Sequence, residues 1–320
     1  MPGLSKAKRR RATLENMIAA THELAIEIGG LPILVRTEST EFARMLEGRY
    51  GTFVAPDARN PAFELDIELV EPGFAARDSR REKGEGPGLQ TPDYDQDLSV
   101  RREAGRWVLE RGDFHAELDP EFHRGWLRQA AQPYAIDGVL RILHSLILAR
   151  QGGFLVHAAS AVRNGRAYLF AGVSGAGKTT ISRLAPPDVT LLTDEISYVK
   201  EVQSSEFGVR SPESGSLAPN PQSAAFQAFG TPFAGELARI GTKVRAPLAT
   251  LFLLEQGREN RVEPVSEAQA ARELLRHVLF FAHDPELVGM VFQTVCNFAR
   301  RVPVYGLVFT KDASVWKLIK

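Results

Sequence analysis

Nine consecutive residues, Gly172-Val173-Ser174-Gly175-Ala176-Gly177-Lys178-Thr179-Thr180, satisfy the spacing G-x-x-x-x-G-K-[ST]. Each residue type has a physical reason. Glycines let backbone N–H groups turn inward around phosphate oxygens without a Cβ in the way. A helix that starts directly afterwards adds the partial positive charge of its N-terminus. Lys178 is long enough to reach β- and γ-phosphates, and the Thr179 hydroxyl is a ligand for Mg²⁺. The structurally neutral alternative is a glycine-rich turn between a strand and a helix. Sixteen residues beyond Lys178, the apolar run Val189, Leu191, Leu192 ends in Asp194-Glu195. Two acids at a strand end beside a phosphate site can divide two tasks, one holding Mg²⁺ and the other accepting a proton from an attacking hydroxyl. The plainer alternative is a solvated strand end. His157 is a third candidate. Standing alone it is a packed or hydrogen-bonded core histidine; near an anionic site it could bind phosphate when protonated or tune the base.

The elements that must position these groups follow from apolar periodicity. Tyr168-Leu169-Phe170-Ala171 reads as the strand feeding the glycine-rich loop, and a helix starts at about Lys178. Phe154–Val162 reads as the preceding strand, with Asn164-Gly165 as a tight hairpin between the two. Ala135 to Arg150 is a strongly apolar helix closed by Gly152-Gly153. Thr190–Thr193, Ala249–Leu254 and Val304–Phe309 read as strands. Ser266, with Gln269 three residues on, is a capping box opening a helix predicted to run to about His283. Pro285–Arg301 is a further helix.

Ahead of residue 136 the pattern is that of a smaller α+β domain. Residues 13–28 carry apolar residues at helical spacing, stopped by Gly29-Gly30. Leu31–Arg36 and Phe63–Val70 read as strands, with a short helix Thr40–Leu46 between them. Residues 71–97 are rich in Gly, Pro and charge and read as a mobile loop. Ser99–Glu103, Arg106–Glu110 and Asp113–Leu118 form a three-strand meander, and Glu121–Gln132 is a candidate helix. The expected organisation is therefore an N-terminal domain over 1–135 with a basic tail, and a nucleotide-binding domain over 136–320.

Composition bounds the function classes. The 320 residues are 44% hydrophobic and 24% charged, which are globular proportions. Lys plus Arg and Asp plus Glu are 39 each, so the chain as a whole is not a basic nucleic-acid wrapper. The zero balance is a cancellation: residues 1–150 carry 21 basic against 24 acidic side chains, and residues 151–320 carry 18 against 15. The lone Cys296 allows no intramolecular disulfide and no cysteine zinc cage, and it is expected to be buried and inert. That usage suits a cytoplasmic setting. No apolar run reaches 18 residues, so no membrane-spanning helix is expected. The basic stretch Lys6–Arg11 reads as a solvated tail, His115 and His123 as surface histidines, and Trp107, Trp126 and Trp316 as packing residues.

Leu155-Val156-His157-Ala158-Ala159-Ser160-Ala161-Val162, then Asn164-Gly165, then the loop at 172–180, then Leu191-Leu192-Thr193-Asp194-Glu195 resembles the HPr serine kinase/phosphorylase family. More closely it resembles bacterial HPr-kinase-related proteins of unassigned substrate. The loop is also similar to that of ATP-dependent phosphoenolpyruvate carboxykinases. Gly230-Thr231-Pro232-Phe233-Ala234-Gly235-Glu236 and Ala246-Pro247-Leu248-Ala249 look like downstream segments of the kinase-related group. The resemblance covers roughly residues 137–320. It implies a mixed-sheet α/β phosphate-loop core, ATP and Mg²⁺, Lys178 and Thr179 on phosphate and metal, Asp194 as catalytic base, and Glu195 as a metal-side acid. It places His157 on the strand before the loop. Glu195 stands where that family has Asp. The family's Leu-Glu-Ile-Arg-Gly segment is missing after the acids, with a Ser- and Pro-rich loop over 201–224 in its place, which argues against phosphorolysis and against HPr as acceptor.

The expected function is thus an ATP-dependent kinase whose acceptor is a hydroxyl, on a serine of a protein or peptide or on a small molecule. Arg239, Lys243 and Arg245 are candidate cations for the transferring charge, or else ordinary surface residues. A nucleotide-binding switch or scaffold without phosphotransfer is the competing class, and an oligomer is compatible with either.

Overall fold

The computed structural model describes residues 22–71, 98–202 and 226–319. The basic tail, the loop over 71–97 and the loop over 201–224 fall almost wholly outside them. The chain is a mixed α/β protein built on two sheets. The first has seven strands, β1 (His22–Ile28), β2 (Leu31–Thr37), β3 (Phe63–Val70), β4 (Ser99–Glu103), β5 (Arg106–Arg111), β6 (Phe114–Asp119) and β7 (Arg124–Ala130). Their order is β1-β2-β3-β7-β6-β5-β4. The central trio β2, β3 and β7 is parallel and the outer pairs are antiparallel. Helix α1 (Thr40–Tyr50) connects β2 to the turn before β3, capped by Ser39, whose hydroxyl accepts from the Phe42 N–H at 3.2 Å.

Two expectations fail in this sheet for physical reasons. Residues 22–28 form a strand where a helix over 13–28 was predicted; residues 13–21 lie outside the described set. Leu24 and Ile28 fit a helical spacing and a period of two alike, and Ile26 between them fits only the latter. A seven-residue antiparallel register with β2, from His22 opposite Thr37 to Ile28 opposite Leu31, decides between them. Gly29-Gly30 is the turn of that hairpin rather than a helix stop. Likewise Glu121–Gln132 is no helix: residues 124–130 are β7, seated between β3 and β6. Arg124 and Arg128 project toward the acids of β3, Arg128 meeting Glu68 at 2.9 Å and Arg124 meeting Glu64 at 3.5 Å. Such cross-strand charge pairs outweigh local helix propensity.

The second sheet has nine strands: β8 (Gly153–Arg163), β9 (Arg166–Ala171), β10 (Thr190–Thr193), β11 (Ile196–Glu201), β12 (Phe226–Phe229), β13 (Arg245–Gln256), β14 (Arg261–Pro264), β15 (Val278–Leu279) and β16 (Val304–Phe309). Pairings β8–β11, β11–β12, β12–β13, β13–β9 and β9–β8 close five of them into a barrel. β9, β13 and β16 run parallel and the other pairings are antiparallel. The hairpin at Asn164-Gly165 forms as expected, with both residues at positive φ (51° and 73°). Strands β11, β12, β14 and β15 were not read from the sequence. Helix α4 (Glu267–Leu275) does start on its Ser266 cap, but it ends well before His283 because β15 pairs with the edge of β8 at Leu155 and Val156.

Helix α2 (Pro133–Arg150) packs against β8 and α5 (Pro285–Arg301) and touches β7 and α1, so it is covered on nearly every side. That is why its apolar residues leave no wide polar face. One large apolar cluster runs from the first sheet through α2 to β8, β11, β12 and α5. A smaller cluster lies under the glycine-rich loop: Tyr168, Phe170, Ala176, Ile181, Phe252, Leu254, Phe309, Val315 and Trp316 are among its members. Among the described residues no helix is long and apolar enough to cross a membrane.

Candidate functional site

Strand β9 ends at Ala171, residues 172–177 form the loop, and α3 (Lys178–Arg183) follows. Val173, Ser174 and Gly175 are exposed at the rim, Gly172 and Ala176 are buried, and Gly177, Thr179 and Thr180 are half-buried. Gly177 has φ 111°, and a Cβ there would lie 2.5 Å from the Phe309 ring, so both backbone and space require glycine. Lys178 is buried and its ammonium donates to the carbonyl oxygens of Gly172 (2.8 Å) and Val173 (3.3 Å). Burial holds its pKa below the usual lysine range, opposed by the charges of Glu195 and Glu236. α3 is only six residues long, so the loop amides and Lys178, more than a helix dipole, would carry an anion. The Trp316 indole N–H donates to the Ile181 carbonyl at 3.1 Å, anchoring α3 from the C-terminal end of the chain. Arg163 fastens that end by donating to the carbonyls of Trp316 (2.6 Å) and Ile319 (2.8 Å).

The acid pair sits at the bend between β10 and β11. Buried Thr193 holds the bend: its hydroxyl accepts from the N–H of Glu195 (3.1 Å) and of Ile196 (3.3 Å) and donates to the Phe233 carbonyl (3.3 Å). The two acids then diverge. Asp194 is buried, and its two carboxylate oxygens accept from the backbone N–H of Gly235 (3.0 Å) and Leu237 (2.9 Å), which pins the turn over 235–238. Glu195 has a half-buried side chain with Oε2 3.8 Å from Nε2 of His157. Burial raises the Glu195 pKa above the usual carboxylate range; the charge of Arg141 opposes this and that of Asp194 adds to it. A Cβ on Gly235 would meet Glu195 Oε2 at 2.8 Å and Asp194 Oδ2 at 2.9 Å, so only glycine lets this backbone pass the acids.

His157, on β8, is brought to the same place: its backbone N–H donates to the His277 carbonyl at 2.7 Å. Burial, then the charges of Lys178 and Arg141, lower its pKa. It is therefore neutral at neutral pH, which weakens the expectation of a protonated phosphate-binding histidine and leaves that of tuning the neighbouring acid. Burial and the charge of Lys178 also lower the pKa of His277.

Among the described residues, none of the candidate cations forms an ion pair with either acid. Arg239 and Arg245 are exposed, and Lys243 pairs with Glu27 of the first sheet at 3.4 Å. The cation that does face the acids is Arg141 on α2, which sequence reasoning missed. Nothing in its spacing could have found it, because it interrupts an apolar helix 16 residues ahead of His157. Thr193 was read only as the end of a strand, its bond to the Phe233 carbonyl being remote in sequence, and His277 fell inside the helix predicted to run to about His283. Of the remaining candidates, His115 meets Glu110 at 3.1 Å, Trp107 and Trp316 are buried, Trp126 is half-buried, and Cys296 is half-buried rather than buried.

Among the described residues no group of three or more His, Cys, Asp or Glu could cage a metal. A threonine hydroxyl and a carboxylate are instead the kind of partial oxygen set that takes Mg²⁺ together with substrate phosphates.

A family model described as SynChlorMet cassette protein ScmC matches residues 135–320, from α2 to the end of the chain. This is more than half of the sequence, and the chain belongs to that family. No curated protein matches it.

Proposed function

We propose that this member of the ScmC family is an ATP-dependent phosphotransferase with the mixed-sheet phosphate-loop core implied by its resemblance to the HPr kinase and carboxykinase group. The observation that supports it most is a juxtaposition. A loop matching the phosphate-binding spacing, with Lys178 at its base, lies within electrostatic reach of Glu195 at a strand bend, itself beside His157.

In this reading the loop amides of 172–177 and the Lys178 ammonium hold the β- and γ-phosphates of ATP, with Thr179 and Thr180 at the start of α3. Thr179 supplies a hydroxyl for Mg²⁺, which when bound neutralises charge on the phosphates. The acceptor hydroxyl oxygen forms a bond to the γ-phosphorus, the bond from that phosphorus to the bridging oxygen breaks, and ADP leaves. The hydroxyl proton goes to Glu195. This exchanges the roles that the resemblance implies for the two acids. Both Asp194 oxygens are already engaged by backbone N–H groups of the 235–238 turn, whereas Glu195, its pKa raised by burial, lies beside His157. Asp194 instead positions the 235–238 turn.

The test is transfer of radiolabelled γ-phosphate into a lysate of the source organism, with Lys178→Ala as control. Label in a protein band indicates a protein acceptor and label in a small-molecule fraction a metabolite. Label in neither, or undiminished label with Lys178→Ala, defeats the kinase reading. The competing reading is a nucleotide-binding switch without phosphotransfer. It predicts nucleotide binding with no transfer to any acceptor.

A further inference from the structure

Arg141 sits midway along α2, one helical turn from Asp137, its natural ion-pair partner. Asp137 is already engaged: Arg49 Nε donates to both of its oxygens (3.2 and 3.1 Å) and the Tyr50 hydroxyl donates to Oδ1 (2.7 Å). The Arg141 guanidinium lies over the Phe233 ring, with Cζ 5.0 Å from the centroid. Its Nε is buried without a hydrogen-bond partner, and among the described residues no carboxylate comes within ion-pair distance of it. Arg141 is half-buried, and even partial burial of a guanidinium without a counter-charge in contact has a cost. Stacking on an aromatic face offsets only part of that cost. The fold therefore keeps a half-buried cation with no carboxylate in direct contact, held by the Phe233 ring and the more distant charge of Asp137.

The position of that cation says what it is for. Arg141 and Glu195 act on each other electrostatically without touching, and His157 feels both Arg141 and Lys178. Lys178 in turn feels Glu195 and Glu236, not Arg141. Glu195 and His157 thus each feel two cations, Lys178 on the glycine-rich loop and Arg141 on α2, and the Phe233 ring under Arg141 is tied to the acid bend through its carbonyl, which accepts from Thr193 at 3.3 Å. If nucleotide phosphates take the first, the second faces whatever brings the hydroxyl.

We propose that Arg141 anchors an oxyanion, a carboxylate or phosphate group, carried by the hydroxyl compound that is phosphorylated at this site. The assignment rests on the kinase reading for the identity of the neighbouring ligand, but not for the existence of an anion site on Arg141. A guanidinium fork matches a two-oxygen anion, and its aromatic shelf keeps the fork flat.

The experiment uses the full chain saturated with a non-hydrolysable ATP analogue and Mg²⁺, so that the γ position is filled. Inorganic phosphate and, separately, acetate are titrated calorimetrically into wild type, Arg141→Met and Arg141→Lys. The proposal expects one anion or both to bind wild type, about tenfold or more weaker binding in Arg141→Met, and partial recovery in Arg141→Lys. Phosphate alone points to a phosphorylated acceptor, acetate as well to a carboxylate. Ligand-free Arg141→Met should also unfold at or above the wild-type temperature, because it replaces a half-buried charge with no ion-pair partner by an apolar chain that can still pack on Phe233. A structural arginine would give a clear drop, and that drop overturns the proposal. So does anion binding indifferent to residue 141, or binding seen with ADP but not with the analogue, which would assign Arg141 to the transferring phosphoryl group. If the analogue itself fails to bind, the nucleotide reading fails. The titrations are then read on the free chain, where binding lost in Arg141→Met supports the anion site and binding unaffected by it overturns it.

Discussion

The two sides of the candidate site are built in different ways. On one side the glycine-rich loop is a contiguous stretch. It is supported from below by a small apolar cluster of its own, whose last members, Val315, Trp316 and Ile319, come from the end of the chain. On the other side Arg141, His157, Thr193, Glu195, Phe233, Gly235 and His277 come from five separate stretches and rest on the large cluster shared with the first sheet. The loop side is local in sequence and remote only in its C-terminal brace. The acid side is remote in every part. A contiguous motif can keep its geometry through backbone restraints alone, whereas an assembled one depends on packing and buried hydrogen bonds to hold each member in place. The two sides should therefore fail differently when single residues are changed.

The sharpest separation lies within the acid pair. Under the proposed kinase reading, Glu195→Gln removes the proton acceptor while keeping shape, and should lower phosphoryl transfer by ~10²–10⁴-fold with nucleotide affinity little changed. Transfer rates and nucleotide titration on the same preparation check it, and a fall in nucleotide affinity matching the fall in rate would remove the distinction between the sides. Trp316→Ala probes the loop side instead. It empties a large buried volume under α3 and breaks the bond to Ile181, and should cost ~3–5 kcal/mol in denaturant unfolding, with loss of nucleotide binding. If stability falls but nucleotide affinity stays, the C-terminal brace is not what shapes the loop. Asp194→Asn should cost ~2–3 kcal/mol, since an amide offers one acceptor oxygen to two backbone N–H groups that now share a carboxylate. Its transfer rate should fall less than that of Glu195→Gln, and the reverse ranking would return the base to Asp194.

How much of this was legible in the sequence follows the same division. The residues of the glycine-rich loop, the strand before it, the hairpin at Asn164-Gly165 and the helix Pro285–Arg301 were all readable, because each is specified by neighbours along the chain. The acid pair was readable as a pair, but the split between Asp194 and Glu195 was not. It depends on Gly235 and Leu237, forty residues away, whose N–H groups reach only one of the two. Arg141 was invisible because, one turn from Asp137 on an otherwise apolar helix, it reads as half of an ordinary i,i+4 ion pair at the helix surface. In the first sheet β1 and β7 were misread as helices: the pairings that settle them, β1 with β2 and β7 with β3 and β6, override local periodicity.

The weakest effect should also be confined to the acid side. His144, on α2 one turn beyond Arg141, is fully buried, with neither ring nitrogen hydrogen-bonded and its ring edge-on to Tyr198 at 5.8 Å. Desolvation alone pushes its pKa down to about 4. The fold therefore holds the neutral ring and the unfolded chain binds the proton more readily. The resulting stability is complete above the unfolded value near 6.5 and is lost as pH falls from there toward 4, amounting to about 2 kcal/mol by pH 5. His157 and His277 are shifted in the same direction, so the pH slope of the wild type does not isolate His144. The difference between wild type and His144→Leu does. The variant should gain about 2 kcal/mol on the wild type between pH 7 and pH 5, measured by urea unfolding at each pH. A gap that stays constant across that range would mean that the ring is hydrated in solution, and that α2 packs less tightly against β11 than the loop side packs against its C-terminal brace.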